Sequence, residues 1–584
     1  MSTNKVWKSK SPPLSAETAS WQASPLALQI AGQAGLTPLQ AQILINRGIL
    51  DSESARSFLN PRLARMADPM LLKDMDCAIS TIIKAFENQD KITIYGDYDA
   101  DGLTAAALLL NFFSGLDIPV SYYIPNRLGE GYGLNKHAIE KIAANGTALI
   151  ITVDCGASNP DEIDLAKKLG MKVVVTDHHQ IPEPFKPCCP VVNPHRPDCS
   201  FPFKDLAGVG VAFFLLVALR ASLREMGWFE TRLEPDLREY LDMVALGTVA
   251  DRVPLLDQNR ILVSSGMEYM ARSRWEGIKA MKEVAGITGS TITSEDIAFK
   301  LAPRLNAPGR MGAPEKGIEI LTVKKPRPAQ ALAFDINAAN QNRRKTEKSI
   351  LDQIENTIKR PEEIKNLRTL FMAGENWHKG VLGIVASRLV NKYHRPSFVL
   401  TVQDGMAAGS GRSIDGFNLY EALSRISHLF EKMGGHTHAA GFTLKAERLE
   451  TLRNELEALA KKTLNEKNIV NTIDVDAELS LQDIDLETIS RIRALAPFGE
   501  GNPEPLFLAR SLEVTGSWIV GNTHLKLKVK QGKAIFDAIG FGLAEFHPLK
   551  GKMLDIVFTP TLNQWQGQEK IQLRVVDLAL NPNP

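Results

Sequence analysis

Three short β-prone runs in this chain each end in residues that hold metal ions or move protons. The first leads into ITIYGDYDADG, with Asp97, Asp99 and Asp101. The second reads LIITVDCG and ends on Asp154; the third reads VVVTDHH and ends on Asp177, His178 and His179. A fourth acid, Asp251, closes the apolar stretch MVALGTVAD. Carboxylates gathered closely cannot all stay ionised without a counter-charge, and no Lys or Arg interrupts these motifs. A divalent cation would supply it. Carboxylate with imidazole suits Mn²⁺, Mg²⁺ or Zn²⁺, and the donors suffice for two ions. Such a pair would activate a water and steady the leaving oxygen of a phosphoester. Each residue alone has a plainer reading: an Asp after a strand is commonly a helix cap, and Asp101 would serve as the cap of a helix beginning near Leu103. Four strand ends with the same chemistry are harder to explain that way.

The runs Lys91–Tyr95, Ala148–Val153 and Lys172–Thr176 are rich in Ile, Val or Thr, and each precedes a stretch of helical pattern. That is the βαβ signature of a parallel sheet, whose strands share one carboxyl edge where ligands bind. Ala329 to Lys359 contains no Gly or Pro and lies between Pro328 and Pro361. It reads as one long helix joining two domains. A second α/β region follows, with the Gly-rich stretches Gly409–Ser413 (GSGRS) and Gly434–Gly441 (GGHTHAAG). The last region alternates in short runs such as His524–Lys530, Met553–Phe558 and Lys570–Val575, which predicts a small β barrel or sandwich. The expected divisions are an N-terminal tail and lead-in over 1–45, a first α/β domain over 46–325, a connecting helix over 326–362, a second α/β domain over 363–467 and a β domain over 468–584.

At 584 residues the chain exceeds what one core supports. A hydrophobic content of 44% with 23% charged residues is ordinary for a globular protein. The net charge of +1 means that any basic binding surface is local. Met1 to Glu17 is polar, shows no signal peptide and reads as a flexible tail. The longest apolar run, Leu206 to Leu219, is too short to span a bilayer and reads as a buried helix. Five cysteines, an odd and sparse set, fit a reducing cytosol. Cys188, Cys189 and Cys199 lie near His195, but their spacing fits no common zinc pattern.

GDYDADG, VDCG, DHH and GTVAD, in that order, resemble the four motifs of the DHH phosphoesterase family, and in particular of the RecJ nucleases. PNRLGEGYGL (Pro125–Leu134), APRLNAPGRMG (Ala302–Gly312), WHKGVLGIVASRL (Trp377–Leu389), SGRS, GGHTHAAG and PFGEGNPEP (Pro497–Pro505) extend the similarity over about residues 90–530. The resemblance implies an α/β protein: a parallel-sheet DHH domain, a long helix, a smaller α/β DHHA1 domain and a C-terminal OB-like domain. It implies Asp99, Asp101, Asp154, His178 and Asp251 as ligands of two Mn²⁺ or Mg²⁺ ions, Asp154 bridging, with Asp97, Asp177 and His179 in the same cluster. One departure is Tyr95, where many relatives carry His; the first ion would then rely on Asp97 or on water. The implied activity is a cytoplasmic 5′-to-3′ exonuclease on single-stranded DNA that releases mononucleotides in repair and recombination, beside a helicase and a single-strand-binding protein. A DHH phosphodiesterase for short oligonucleotides or cyclic dinucleotides is the alternative, but such relatives are shorter and lack the β domain. A scaffold that has lost catalysis fits poorly with the intact acids.

The resemblance makes Arg127, Arg304, Arg310, Ser410, Arg412 and His436 the expected substrate contacts; taken alone, the two Gly-rich stretches read equally well as plain turns. Arg412 with Ser410, supported by Arg310 and Arg127, would clamp a 5′-phosphate, because the planar guanidinium engages phosphate oxygens in pairs. In the β domain, Lys526, Lys528 and Lys530 share one strand face and Leu525, Leu527 and Val529 the other. That suits backbone tracking of a single strand or a solvated face over a core. Trp518 and Phe536 are positioned to stack bases or to fill that core.

Overall fold

Strand β1 (Ile92–Gly96) lies in a parallel sheet with β2 (Val120–Tyr123), β3 (Leu149–Val153), β4 (Lys172–Thr176) and β5 (Val191–Val192), in the order β2-β1-β3-β4-β5, with β3 at the centre. The computed structural model describes residues 5–11, 21–126, 130–131, 133–181, 183–358, 364–565 and 568–581. β1 and β3 are buried on both faces, which is why they read as continuous apolar runs rather than alternating ones. The half-buried edge β2 and the two-residue β5 carry no such signal in the sequence. Gly96 pairs with Val153, and Val153 with Thr176. The three strands therefore end level, and the next residues are Asp97, Asp154 and Asp177.

Helix α1 (Ala100–Gly115) is buried from Ala100 through Phe113, packed with α2 (Gly208–Glu225) and α3 (Leu241–Ala250). The run Leu206–Leu219 is a buried helix, as expected. Asp251 ends a helix and not a fourth strand: α3 is buried through its first eight residues, and a short segment buried all round loses the periodicity that separates helix from strand. Helix α4 (Ala302–Met311) precedes the long α5 (Pro326–Thr357). α5 begins earlier than its sequence boundary because Pro326 and Pro328 sit in the first turn, where no N–H donor is needed; Lys359 and Pro361 lie outside the described residues. Ala329, Ala333 and Ile336 join the core of the first domain, and Ile350 and Ile354 that of the second.

The second α/β domain contains β6 (Leu370–Glu375), α6 (Leu382–Tyr393), β7 (Ser397–Gln403), β8 (Met406–Arg412), β9 (Lys432–Gly435) and β10 (Ala439–Lys445), in sheet order β9-β10-β8-β7-β6. Only β6 and β7 are parallel among these neighbours. GSGRS falls mainly on strand β8 rather than in a loop. A Cβ at Gly409 would come within 2.5 Å of the Phe442 ring, so this glycine makes room for an aromatic. Both α/β domains and α5 lie in one compact unit, Pro61–Ile469.

The other unit joins Met1–Asn60 to Val470–Pro584. Its six-stranded sheet runs β11 (Ala477–Glu478), β12 (Phe507–Val520), β13 (His524–Gln531), β14 (Ala534–Gly540), β16 (Gln568–Leu580), β15 (Met553–Trp565), and β15 pairs back onto β12 to close a barrel. The N-terminal segment is not merely a tail. Val6–Ser9 pairs in parallel with Thr472–Val475, and Trp7 Nε1 donates to Asp577 Oδ2 at 2.6 Å. Three helices follow (Pro25–Ala34, Pro38–Ile45, Ser52–Leu59). Gln40 donates to the Arg491 carbonyl at 2.8 Å, and Arg47 to that of Pro503 at 2.6 Å. The chain thus divides after Asn60 and not at the expected residue 46: pairing with a partner so distant in sequence leaves no local pattern. Among the described residues no helix is long and apolar enough to cross a membrane.

Asp577 is fully buried, so losing a donor to it is costly. Trp7→Phe should lower the stability of this unit by about 1–3 kcal/mol, read as a reduced urea midpoint; an unchanged midpoint would mean that the N-terminal strand is held by its backbone alone.

Candidate functional site

The level strand ends bring their acids together. Asp99 is the N-cap of α1, its Oδ1 accepting from the N–H groups of Asp101 and Gly102 at 3.0 and 3.2 Å. The cap is therefore Asp99, not Asp101, and α1 starts at Ala100. Asp101 sits in the first turn and turns its carboxylate to the start of α2, accepting from Gly208 N at 2.6 Å and Val209 N at 2.8 Å. A helix N-terminus favours negative charge there. Sequence reasoning missed Gly208: a Cβ on it would stand 2.7 Å from Asp154 Oδ1, so only glycine lets the α2 terminus approach both acids. The available signal was the GVG at the head of an otherwise bulky apolar run.

His178 is the hub. Its Nε2 lies 3.1 Å from Asp154 Oδ1, 3.6 Å from Asp251 Oδ2 and 3.8 Å from Asp101 Oδ2. Three groups have donor atoms within 4.8 Å of one another: Asp154 with His178 and His179, Asp101 with His178 and Asp251, and Asp97 with Asp99 and Asp154. Asp154 and His178 each belong to two. Asp177 joins none of them. Its Oδ1 accepts from His178 N, His179 N and His179 Nδ1 at 2.7, 3.1 and 2.8 Å, and its Oδ2 from Ala157 N at 3.0 Å. Both oxygens are used by the protein, so Asp177 orients the histidines and is not placed as a ligand. The cysteines join no such group among the described residues.

Electrostatics follow the crowding. Burial and then the Asp251 charge push the Asp101 carboxyl up to about 7. Burial and then Asp101 and Asp99 push Asp154 well above the carboxylate range. Burial opposes ionisation of Asp177 too, yet its hydrogen bond and charge contact with His179 hold it at about 2. Burial disfavours the His179 cation, but Asp177 and then Asp154 carry it up to about 9. An ionised Asp177 only accepts, which puts a proton on His179 Nδ1. Asp251 Oδ2 is buried without a hydrogen-bond partner among the described residues. Carboxylates driven toward protonation, an imidazole shared among three of them and an orphaned buried oxygen fit a divalent-cation site.

Tyr95 points elsewhere. Its hydroxyl donates to the Gly133 carbonyl at 2.9 Å and accepts from Asn135 at 3.3 Å, and its ring stacks on Tyr123 at 5.4 Å. Asp97 is accordingly the residue that joins Asp99 and Asp154. In the second domain, Arg412 Nη1 donates to Ser410 Oγ at 3.1 Å and to the Gly411 carbonyl at 2.7 Å. His436 is held below its usual range by burial, then by the charge on Arg412, with His438 and His179 adding to it; Arg412 and His179 thus act on one imidazole from the two domains. Arg310 reaches the Gly380 carbonyl at 3.4 Å. Arg304 has Asn337 Oδ1 on α5 at 3.0 Å and the carbonyls of Lys300 and Val284 at 2.7 and 3.4 Å, and so helps tie α4 to α5. Arg127 lies outside the described residues.

In the barrel, Leu525, Leu527 and Val529 are buried and the three lysines face outward. They are not equivalent. Lys530 stands opposite Glu513, at 3.5 Å, and Lys528 opposite Asp537, whereas Lys526 stands between Trp518 and Ile539. Trp518 is 50% exposed; Phe536 is partly buried.

The family model of the DHH family N-terminal domain matches residues 91–248, the DHHA1 domain 366–462 and the RecJ OB domain 475–577. The single-stranded-DNA-specific exonuclease RecJ of Bacillus subtilis is 37% identical over 555 residues, covering 94% of this chain and 69% of that protein. Its counterpart in Escherichia coli is 34% identical over 558 residues, covering 92% and 95%. The crystal structure of RecJ in complex with Mn²⁺ from Thermus thermophilus superposes with a TM-score of 0.83 at 28% identity, covering all of this chain and 81% of that one; a complex with Mg²⁺ from the same organism gives 0.76. On this similarity, spread over all three matched domains, the chain belongs to the RecJ family of single-stranded-DNA-specific exonucleases.

Proposed function

We propose that the chain hydrolyses single-stranded DNA from its 5′ end and releases mononucleotides, with two divalent cations held by Asp97, Asp99, Asp101, Asp154, His178 and Asp251. The observation that carries this reading is the set of interlocking donor groups sharing Asp154 and His178. The RecJ relatives are named for action on single-stranded DNA, and RecJ structures contain Mn²⁺ or Mg²⁺; we infer the same substrate and ions here. When bound, such ions supply activation of the attacking water and neutralise charge on the scissile phosphate.

The chain's own residues do the rest. Asp101, fixed by two backbone donors, and Asp99, fixed by its capping bonds, present donors that cannot swing away. Asp177 holds His179 by its Nδ1, which leaves Nε2 to exchange a proton with the leaving group or solvent. Arg412, Ser410, His436 and Arg310 hold the terminal 5′-phosphate, with Arg127 beside them, and Lys526 with Trp518 engages the strand on the barrel. A single-strand-binding protein and a helicase are the partners we propose, and the cytoplasm the compartment. The matched barrel and the relatives' coverage favour long strands over short oligonucleotides.

Three measurements test this. Asp154 has φ 61°, a left-handed conformation that Asn tolerates better than Ala, so Asp154→Asn is the clean variant. It should lower kcat/KM by at least about 10²–10³-fold while raising the melting temperature of the metal-free protein, because a buried carboxyl that its neighbours drive away from ionisation is replaced by a neutral amide. Near-normal turnover would remove the two-metal reading.

Metal binding should release protons. With Asp101 pushed up to about 7, a cation must displace a proton below that pH. Mn²⁺ affinity should weaken as pH falls through about 7, and calorimetry in two buffers of different ionisation enthalpy, at a pH just below that value, should report net proton release. A pH-independent affinity would mean that Asp101 is not a ligand.

The barrel lysines should contribute unequally. Lys526→Ala should reduce the salt slope for binding a long oligonucleotide by roughly 0.7, the increment of one phosphate contact on single strands. Lys530→Ala should change it little, because Glu513 already faces that ammonium. Equal effects, or none, in anisotropy titrations across salt would reject this assignment of the face.

A further inference from the structure

The segment Gly380–Val381–Leu382–Gly383 touches both arginines of the proposed clamp. Gly380 meets the end of α4. Its carbonyl accepts from Arg310 Nη1, and a Cβ at this position would stand 2.0 Å from the Arg310 carbonyl oxygen. Three residues on, a Cβ at Gly383 would stand 2.7 Å from Arg412 Nη2 and 3.0 Å from Ser410 Oγ. Between the glycines, Val381 and Leu382 are buried in the core that takes Ile350 and Ile354 from α5 and Leu370 from β6. The segment is thus pinned by its two apolar side chains, and its two bare α-carbons are where groups from the two α/β domains rest.

We propose that Gly380–Gly383 is a positioning element for the substrate's 5′ end: it seats Arg310 of the first domain and Arg412 with Ser410 of the second, and so fixes where the terminal phosphate is held relative to the acid cluster. The proposal rests on the clamp reading given above. The two glycines are limited by different things. At Gly380 the obstacle is backbone, so any side chain forces α4 away. At Gly383 the obstacle is the far end of a flexible arginine, and Gly383 lies in the first turn of α6, where Ala is at least as favourable. A methyl group there is tolerated by the fold and displaces the Arg412 guanidinium.

The experiment compares Gly383→Ala, Arg412→Ala and the double variant on matched oligonucleotides with a 5′-phosphate or a 5′-hydroxyl, with Mn²⁺ calorimetry and thermal melting alongside. Gly383→Ala should bind Mn²⁺ like the parent chain and melt no lower. Its preference for the 5′-phosphate, as a ratio of kcat/KM values, should fall about tenfold or more, the scale of one hydrogen bond to a charged group, chiefly through KM. Adding it to Arg412→Ala should cost nothing further. An intact preference in Gly383→Ala beside a lost one in Arg412→Ala, or additive losses in the double variant, would overturn the seat while leaving the clamp. An intact preference in Arg412→Ala would instead overturn the clamp, and the seat with it. Should Gly383→Ala fail to fold, recovery of folding in the double variant would support the contact, and continued misfolding would overturn it.

Discussion

Like charges repel most strongly where water is scarce, and this chain buries Asp97 within reach of Asp154, and Asp101 where its charge acts on Asp154. A cluster of that kind stands only if something fixes it from behind and something neutralises it from in front. Behind are backbone donors: the start of α2 holds Asp101, and α1 itself holds Asp99 by its own first turn. In front is the demand for cations. The parallel sheet, the level ends of β1, β3 and β4, and the all-round burial of α1 and α3 read as the framework this one electrostatic problem requires. A looser sheet edge would let the carboxylates relax apart and take up protons or water instead.

The same framework separates residues that look alike in sequence. Asp177 is as acidic and as close in chain to the histidines as any ligand, yet four donors occupy its two oxygens, and it stays ionised at the acid end of the scale. Arg304 and Arg310 sit six residues apart on one helix; the first is bound into the α4–α5 junction and the second meets the neighbouring domain. Lys526 and Lys530 share a strand face but not a partner. What decides each role is the set of atoms already within hydrogen-bond reach, which residue type does not reveal.

Much of this was legible from the chain. The three strand ends and their acids, the long helix, the buried run at Leu206 and the outward lysines all rest on local patterns, and local patterns survive folding. The misses have physical causes. α3 passes for a strand because total burial erases periodicity. GSGRS passes for a phosphate loop because glycine serves both turns and tight packing, and Phe442 is far off in sequence. Gly208 goes unread because its reason is a carboxylate that arrives from another strand. The strand at Val6–Ser9 goes unread because its partner, Thr472–Val475, is so remote in sequence.

That last feature bears on how the molecule is made. Residues 6–9 leave the ribosome well before their pairing partner at 472–475, which emerges only after the whole of Pro61–Ile469. Contacts so remote carry a large loop-closure cost and form slowly. During synthesis the three helices over 25–59 are thus separated from their barrel by the whole of the unit between them, and domains generally fold as units in the order they emerge. A pause or truncation late in translation would leave the acid cluster assembled and the strand at residues 6–9 without the partner it pairs with.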